Sequence, residues 1–262
     1  MKLKRGQVTI FIIIAVVIVA AALIVIFTVP GVRDALNLGG ETNPNIIMKN
    51  CLEDTLVANI KTISLQGGSM NPAPAFSYKN QSLRYLCYSS EFYKTCVVQE
   101  PMLVHSVSKE IESSIEDKAN ECLREMQEEL ESSYSSVEMS NGDMQVNLLP
   151  GKIEVVFDRS LNLGSGESRQ TVDSFKVVLD NNLYELLSIA NNIIEWETVY
   201  GDAETTAYMD YYRDIKVEKI KQIDGTTVYI ISDRNSEDKF QFASRSLAWP
   251  PAYGFESVST TQ

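Results

Sequence analysis

The chain has 262 residues and carries 23 Lys and Arg against 35 Asp and Glu, a formal net charge of −12. That length suffices for one or two domains with a sizeable core, and the acidic balance excludes nucleic acid as the main partner, because phosphate binding needs a basic face. A composition of 44% hydrophobic and 22% charged residues excludes a collagen-like or wholly disordered chain.

Residues 8–29 contain no charge; Thr9 and Thr28 are the weak polar interruptions. As a helix this segment would be roughly 33 Å long, enough to cross a bilayer core. Its apolar character all round distinguishes it from an amphipathic surface helix. Lys2, Lys4 and Arg5 precede it, so the positive-inside rule predicts a cytoplasmic amino terminus and an external remainder. A removable secretory signal is the rival reading, but its apolar region usually spans only 7–15 residues.

The run Lys4-Arg5-Gly6-Gln7 before this apolar segment resembles the class III signal of archaeal type IV pilins and archaellins. The resemblance implies a prepilin peptidase that cuts after Gly6, a mature chain starting at Gln7, and pilin-like subunits as partners. The pattern departs at Phe11, the fifth mature position, where many type IV pilins have Glu. A plain uncleaved anchor in the lipid bilayer stands beside this reading. The body is similar to an uncharacterised family of membrane-anchored archaeal surface proteins. That likeness rests on Cys51-Leu52-Glu53, Leu65-Gln66-Gly67-Gly68, Cys122-Leu123, and a tail containing Phe240-Gln241-Phe242-Ala243 and Leu247-Ala248-Trp249-Pro250-Pro251. It implies an extracytoplasmic domain and brings no activity with it.

After the basic tail (1–7) and the span (8–29), residues 30–45 read as a linker, residues 46–250 as one extracytoplasmic domain, and 251–262 as a flexible tail. Met48, Leu52, Leu56, Ile60 and Ile63 recur at helical spacing, predicting a helix over 45–66 stopped by Gly67-Gly68. Residues 69–82 read as a loop and 83–98 as a short hairpin. A long acidic helix is predicted over Leu103–Ser133, with Val107, Ile111, Ile115, Ala119, Cys122, Met126 and Leu130 as its apolar stripe. Its many glutamates read as a solvated face.

Strands are predicted at 137–140, 144–149, 152–158 and 172–179, separated by the turn signals Asn141-Gly142 and Pro150-Gly151 and by a glycine loop at 164–168. Further helices are expected at 181–197 and 203–212. A closing hairpin, 215–222 with 226–232, turns at Asp224-Gly225, and a last strand covers 240–245. Strands and helices without strict βαβ alternation predict an α+β fold with a mainly antiparallel sheet and two or three long helices.

Four cysteines, at 51, 87, 96 and 122, all follow the span, and an even count outside the membrane fits two disulfides. Three pairings are open. Cys51 and Cys122 lie on apolar helix faces, while Cys87 and Cys96 lie on opposite hairpin arms, which favours 51–122 with 87–96. Zinc sites favour closer cysteine pairs, so no metal is expected.

Catalytic chemistry finds little support. The single histidine, His105, sits in no nucleophile pattern, which weakens any Ser-His-Asp or Cys-His arrangement. The loop at 164–168 lacks the nucleophile-elbow order, and no Lys follows it as in a phosphate-binding loop. No catalytic residue and no cofactor is assigned. Tyr208, Tyr211 and Tyr212, near Asp202, Asp210 and Asp214, form a candidate binding surface for sugar or protein. Asn80-Gln81-Ser82 is a glycosylation sequon.

These readings point first to a membrane-anchored surface protein with a structural or adhesive role. An anchored binding module for an envelope ligand or a membrane partner is the alternative, and an anchored hydrolase is a third class. With three basic residues in the amino-terminal tail, the outer part carries 20 basic against 35 acidic residues. A surface of that sign is repelled by anionic headgroups.

Overall fold

The computed structural model describes residues 15–19, 43–165 and 168–249. The signal at Gly6 and Gln7, most of residues 8–29, the linker up to residue 42 and the tail 251–262 lie outside the described residues. The chain divides into two compact units, residues 1–47 and 48–262. In the first, residues 15–19 are helical and exposed. No helix among the described residues is long and apolar enough to cross a membrane.

Helix α1 (Pro44–Leu65) begins where the sequence supplies both a cap and a starter. The Asn43 side chain accepts the Asn45 N–H at 2.9 Å, and Pro44 fills the first helical position, where a missing N–H costs nothing. Gly67 and Gly68, with φ of +77° and +89°, end the helix, and the Gly68 N–H closes onto the Ile63 carbonyl at 2.9 Å. Helix α2 (Leu103–Ser133) buries the predicted stripe and also Leu103 and Leu123. The two helices run antiparallel. Cys51 is bonded to Cys122, and Asn59 donates to the Ser114 carbonyl at 2.9 Å.

Among the described residues twelve strands form three sheets. β1 (Ala75–Tyr78), β2 (Gln81–Tyr88), β3 (Val97–Val98), β10 (Ile215–Lys221), β11 (Thr226–Asp233) and β12 (Lys239–Arg245) make the largest. Its order is β1-β2-β12-β11-β10, with β3 added beside β2. Only the β12–β2 pair in it is parallel. β4 (Ser136–Met139), β7 (Leu161–Ser165) and β8 (Ser168–Val172) form a second sheet, and β5 (Met144–Leu149), β6 (Lys152–Phe157) and β9 (Phe175–Asp180) a third. The fold is α+β and mainly antiparallel, as the lack of strict βαβ alternation predicts.

Helix α3 (Leu183–Tyr200) packs on β11, β12, β2 and α2. Leu186, Leu187, Ala190 and Ile193 are buried on it. From the sheet, Tyr229 and Phe242 stack at 5.2 Å on the same side. Gly201 ends α3 with φ +75° and donates to the Glu197 carbonyl at 3.0 Å. A Cβ there would lie 2.4 Å from the Ala248 Cβ. Gly201→Ala should therefore cost roughly 1–3 kcal/mol, read as a lower midpoint in thermal unfolding; an unchanged midpoint would refute the close approach. Short helix α4 (Thr206–Tyr211) lies beside β10.

Three expectations need correction. Residues 69–82 are not all loop: β1 and the start of β2 form a hairpin in which Tyr78 pairs with Gln81. Its two-residue turn, Lys79-Asn80, has positive φ at both positions, 46° and 65°, the geometry that matches strand twist. The expected hairpin over 83–98 is only a fragment, since β2 pairs mainly with β1 and β12 and meets β3 at Cys87 and Tyr88. The single strand expected at 172–179 is two strands in different sheets, broken at Asp173-Ser174. β7, which the alternation Leu161, Leu163 could have indicated, pairs with the first of them.

Candidate binding groove

A groove of about 940 Å³ opens among the described residues. α1 supplies one wall with Ile60, Lys61 and Ser64, and the start of α3 supplies Leu183 and Leu186. Ile230 and Ser232 of β11 and Lys239 and Gln241 of β12 line the sheet side, and Tyr78, Lys79 and Gln81 come from the β1–β2 hairpin. The helical spacing of Ile60 and Ser64 and the strand alternation of Ile230 and Ser232 bring each pair to one face.

The groove is amphipathic. Ile60, Leu183 and Leu186 are buried and apolar. Ser64, Ser232 and Gln241 are 5%, 8% and 8% exposed, yet they are polar and open to the groove. Gln241 donates to the Gln81 amide oxygen at 3.2 Å. Buried polar groups normally find partners, and here the space beside them is large enough for a ligand. Two rim carboxylates are already committed. Asp238 accepts the Asn182 N–H at 3.0 Å and the Asn181 amide at 2.8 Å at the start of α3, and Glu218 is paired with Lys216.

The residues singled out in the sequence fall elsewhere. Tyr211 and Tyr212 meet edge-on at 4.7 Å and are 80% and 48% exposed. Tyr208 does not join them at the surface. Its hydroxyl is buried without a partner, and burial raises its pKa. Asp202 faces Lys219 and Lys221 instead of the tyrosines. Asn80 is exposed at the tip of the β1–β2 hairpin, next to Lys79 and Gln81 of the groove. His105 is exposed on α2. The cysteines pair as 51–122 and 87–96, with Cα separations of 5.7 and 5.3 Å. Among the described residues no cluster of three or more His, Cys, Asp or Glu side chains is arranged to hold a metal.

Glu197 is the functional-looking residue that sequence reading misses. It is 1% exposed on α3, accepts the Tyr229 hydroxyl, and does not line the groove. Burial raises its pKa, and Asp202 adds to the rise. The Tyr229 hydrogen bond, Lys219 and the Ala203 N–H act against it. Burial also raises the Tyr229 phenol, with Glu197 adding to the effect. A closed acid–phenol pair without access to substrate is a packing element. The only hint in the sequence is a glutamate one turn beyond Ile193 on the apolar stripe of α3.

Comparison with family models, curated proteins and solved structures returns no match.

Proposed function

We propose that this chain is a single-pass, membrane-anchored surface protein with a pilin-like amino terminus and a structural or adhesive, non-catalytic role. Residues 8–29 would be the anchor, the amino terminus cytoplasmic and the α+β domain outside. The observation that carries this reading is the pair of disulfides, all four cysteines lying beyond the charge-free segment. Such bonds persist in oxidising compartments. The exposed position of His105 and the closed setting of Glu197 fit a role without catalysis. The groove favours a second reading, an anchored binding module for an envelope ligand.

Alkylation of protein taken from its native membrane should label no cysteine until reductant is added; four free thiols would sink the external location. Amino-terminal mapping should find Gln7 if the prepilin peptidase acts, and Met1 if the anchor is uncleaved. Sheared filaments should carry the chain if it joins pilin-like subunits, whereas the membrane should retain it as a binding module.

A further inference from the structure

We propose that Asn80 is a glycosylation site, its amide nitrogen carrying an oligosaccharide transferred from a lipid-linked phosphate donor. The inference rests on reading the α+β domain as external, and it adds a covalent modification to that reading.

The first argument is access in the folded domain. Asn80-Gln81-Ser82 is the one Asn-X-Ser/Thr triplet of the chain, and such a triplet serves as an acceptor where it lies at the surface. Asn80 is the second residue of the two-residue turn that joins β1 to β2. β1 is an edge strand of the largest sheet. Phe76 and Tyr78 pack against the core, whereas Ser77, Lys79, Asn80 and Ser82 are exposed. A glycosyl transferase therefore reaches the triplet without unfolding the sheet.

The second argument concerns what these side chains are committed to. Other asparagines of the domain are engaged: Asn59 donates to the Ser114 carbonyl, Asn181 to Asp238, Asn182 to Asp233 and Asn192 to the Ser188 carbonyl. Among the described residues the Asn80 amide and the Ser82 hydroxyl form no hydrogen bond. The turn itself does not require this amide. Lys79 and Asn80 both take positive φ, 46° and 65°, a geometry that glycine meets at least cost. Asparagine tolerates it and supplies the amide nitrogen that glycine lacks. In the transfer that nitrogen bonds to the anomeric carbon of the sugar, and the anomeric C–O bond to the phosphate breaks. The lipid phosphate leaves with the electron pair, one amide proton passes to solvent, and nothing is oxidised or reduced.

The test is glycopeptide mass spectrometry on the full-length protein taken from its native membrane. Cleavage after Lys79 and Arg84 releases the peptide 80–84. It should be recovered with an oligosaccharide on Asn80, and the unmodified peptide should be depleted. Asn80→Gln and Ser82→Ala should each lose the glycan, and Ser82→Thr should keep it. Ser82→Ala leaves both positive-φ turn residues in place, so its loss of glycan does not depend on a disturbed hairpin, and circular dichroism checks the fold of all three variants. An unmodified 80–84 peptide in a chain whose cysteines resist alkylation would overturn the site and leave the external location intact. A glycan that survives Ser82→Ala would overturn the triplet as its determinant, and a glycan found only on another residue would overturn Asn80. An unmodified peptide together with four free thiols would overturn both the site and the location on which it rests.

Discussion

Replacing Cys51 and Cys122 together with alanine should lower the unfolding free energy by about 4 kcal/mol. The bond closes a loop with a sequence separation of 71, and a cross-link stabilises chiefly by restricting the unfolded chain, more so for a longer loop. The packing argument points the same way. Cys122 is fully buried in the α2 stripe, and the bond holds α1 against α2. The Cys87–Cys96 bond spans a separation of only 9, so its removal should cost less, under about 3 kcal/mol. Denaturant unfolding of the two double variants measures both. A smaller loss for the long loop than for the short one would reject the loop-entropy account.

Glu197→Gln should stabilise the protein at neutral pH by on the order of 1–3 kcal/mol and flatten the dependence of stability on pH. The sign follows from linkage. In the fold, burial raises the Glu197 pKa above its ordinary 4.5, so the folded chain holds a proton that the unfolded chain releases. The contribution of this group is fully present below the unfolded value and is lost as pH rises through the folded one. Glutamine is neutral throughout and still reaches the Tyr229 hydroxyl, so the loss disappears. Glu197→Ala, by contrast, strands the Tyr229 hydroxyl and opens a void, and should cost roughly 2–4 kcal/mol. Unfolding curves at pH 4 and pH 8 compare the variants with the parent chain. A parallel pH dependence in Glu197→Gln and the parent would show that this carboxyl does not change its protonation there.

Much of this fold is legible in the residues because local and tertiary signals agree. The bounds of α2 follow from a stripe repeating every three to four residues over eight turns. The hairpin at Asp224-Gly225 follows from turn chemistry, since Gly225 takes φ +87°. The failures have identifiable causes. Lys79-Asn80 lacks the glycine that usually marks a two-residue turn, so β1 is hidden in a stretch rich in Ser and Pro. The partners of β2 lie at opposite ends of the chain, and no local pattern announces a pairing between residues 85 and 243. The groove is invisible for the same reason. Its lysines, 61, 79 and 239, are far apart in sequence, and each looks like an ordinary surface charge. Glu197 was unreadable because a lone carboxylate at a helix end is normally solvated; only Tyr229 and the surrounding apolar side chains reveal that it is not.

The parallel seam between β12 and β2 also constrains how the protein can be made. β12 sits in the middle of the largest sheet, between strands that precede it by about 150 and by only a few residues. Until residue 245 has emerged during synthesis, β2 and β11 have no shared neighbour, and the Phe240 and Phe242 rings are missing from the core. A growing chain can form α1, α2 and the smaller sheets early, but the largest sheet must wait for β12. Synthesis that stops just short of β12 therefore releases a chain in which β2 and β11 each present an open strand edge, a species prone to self-association.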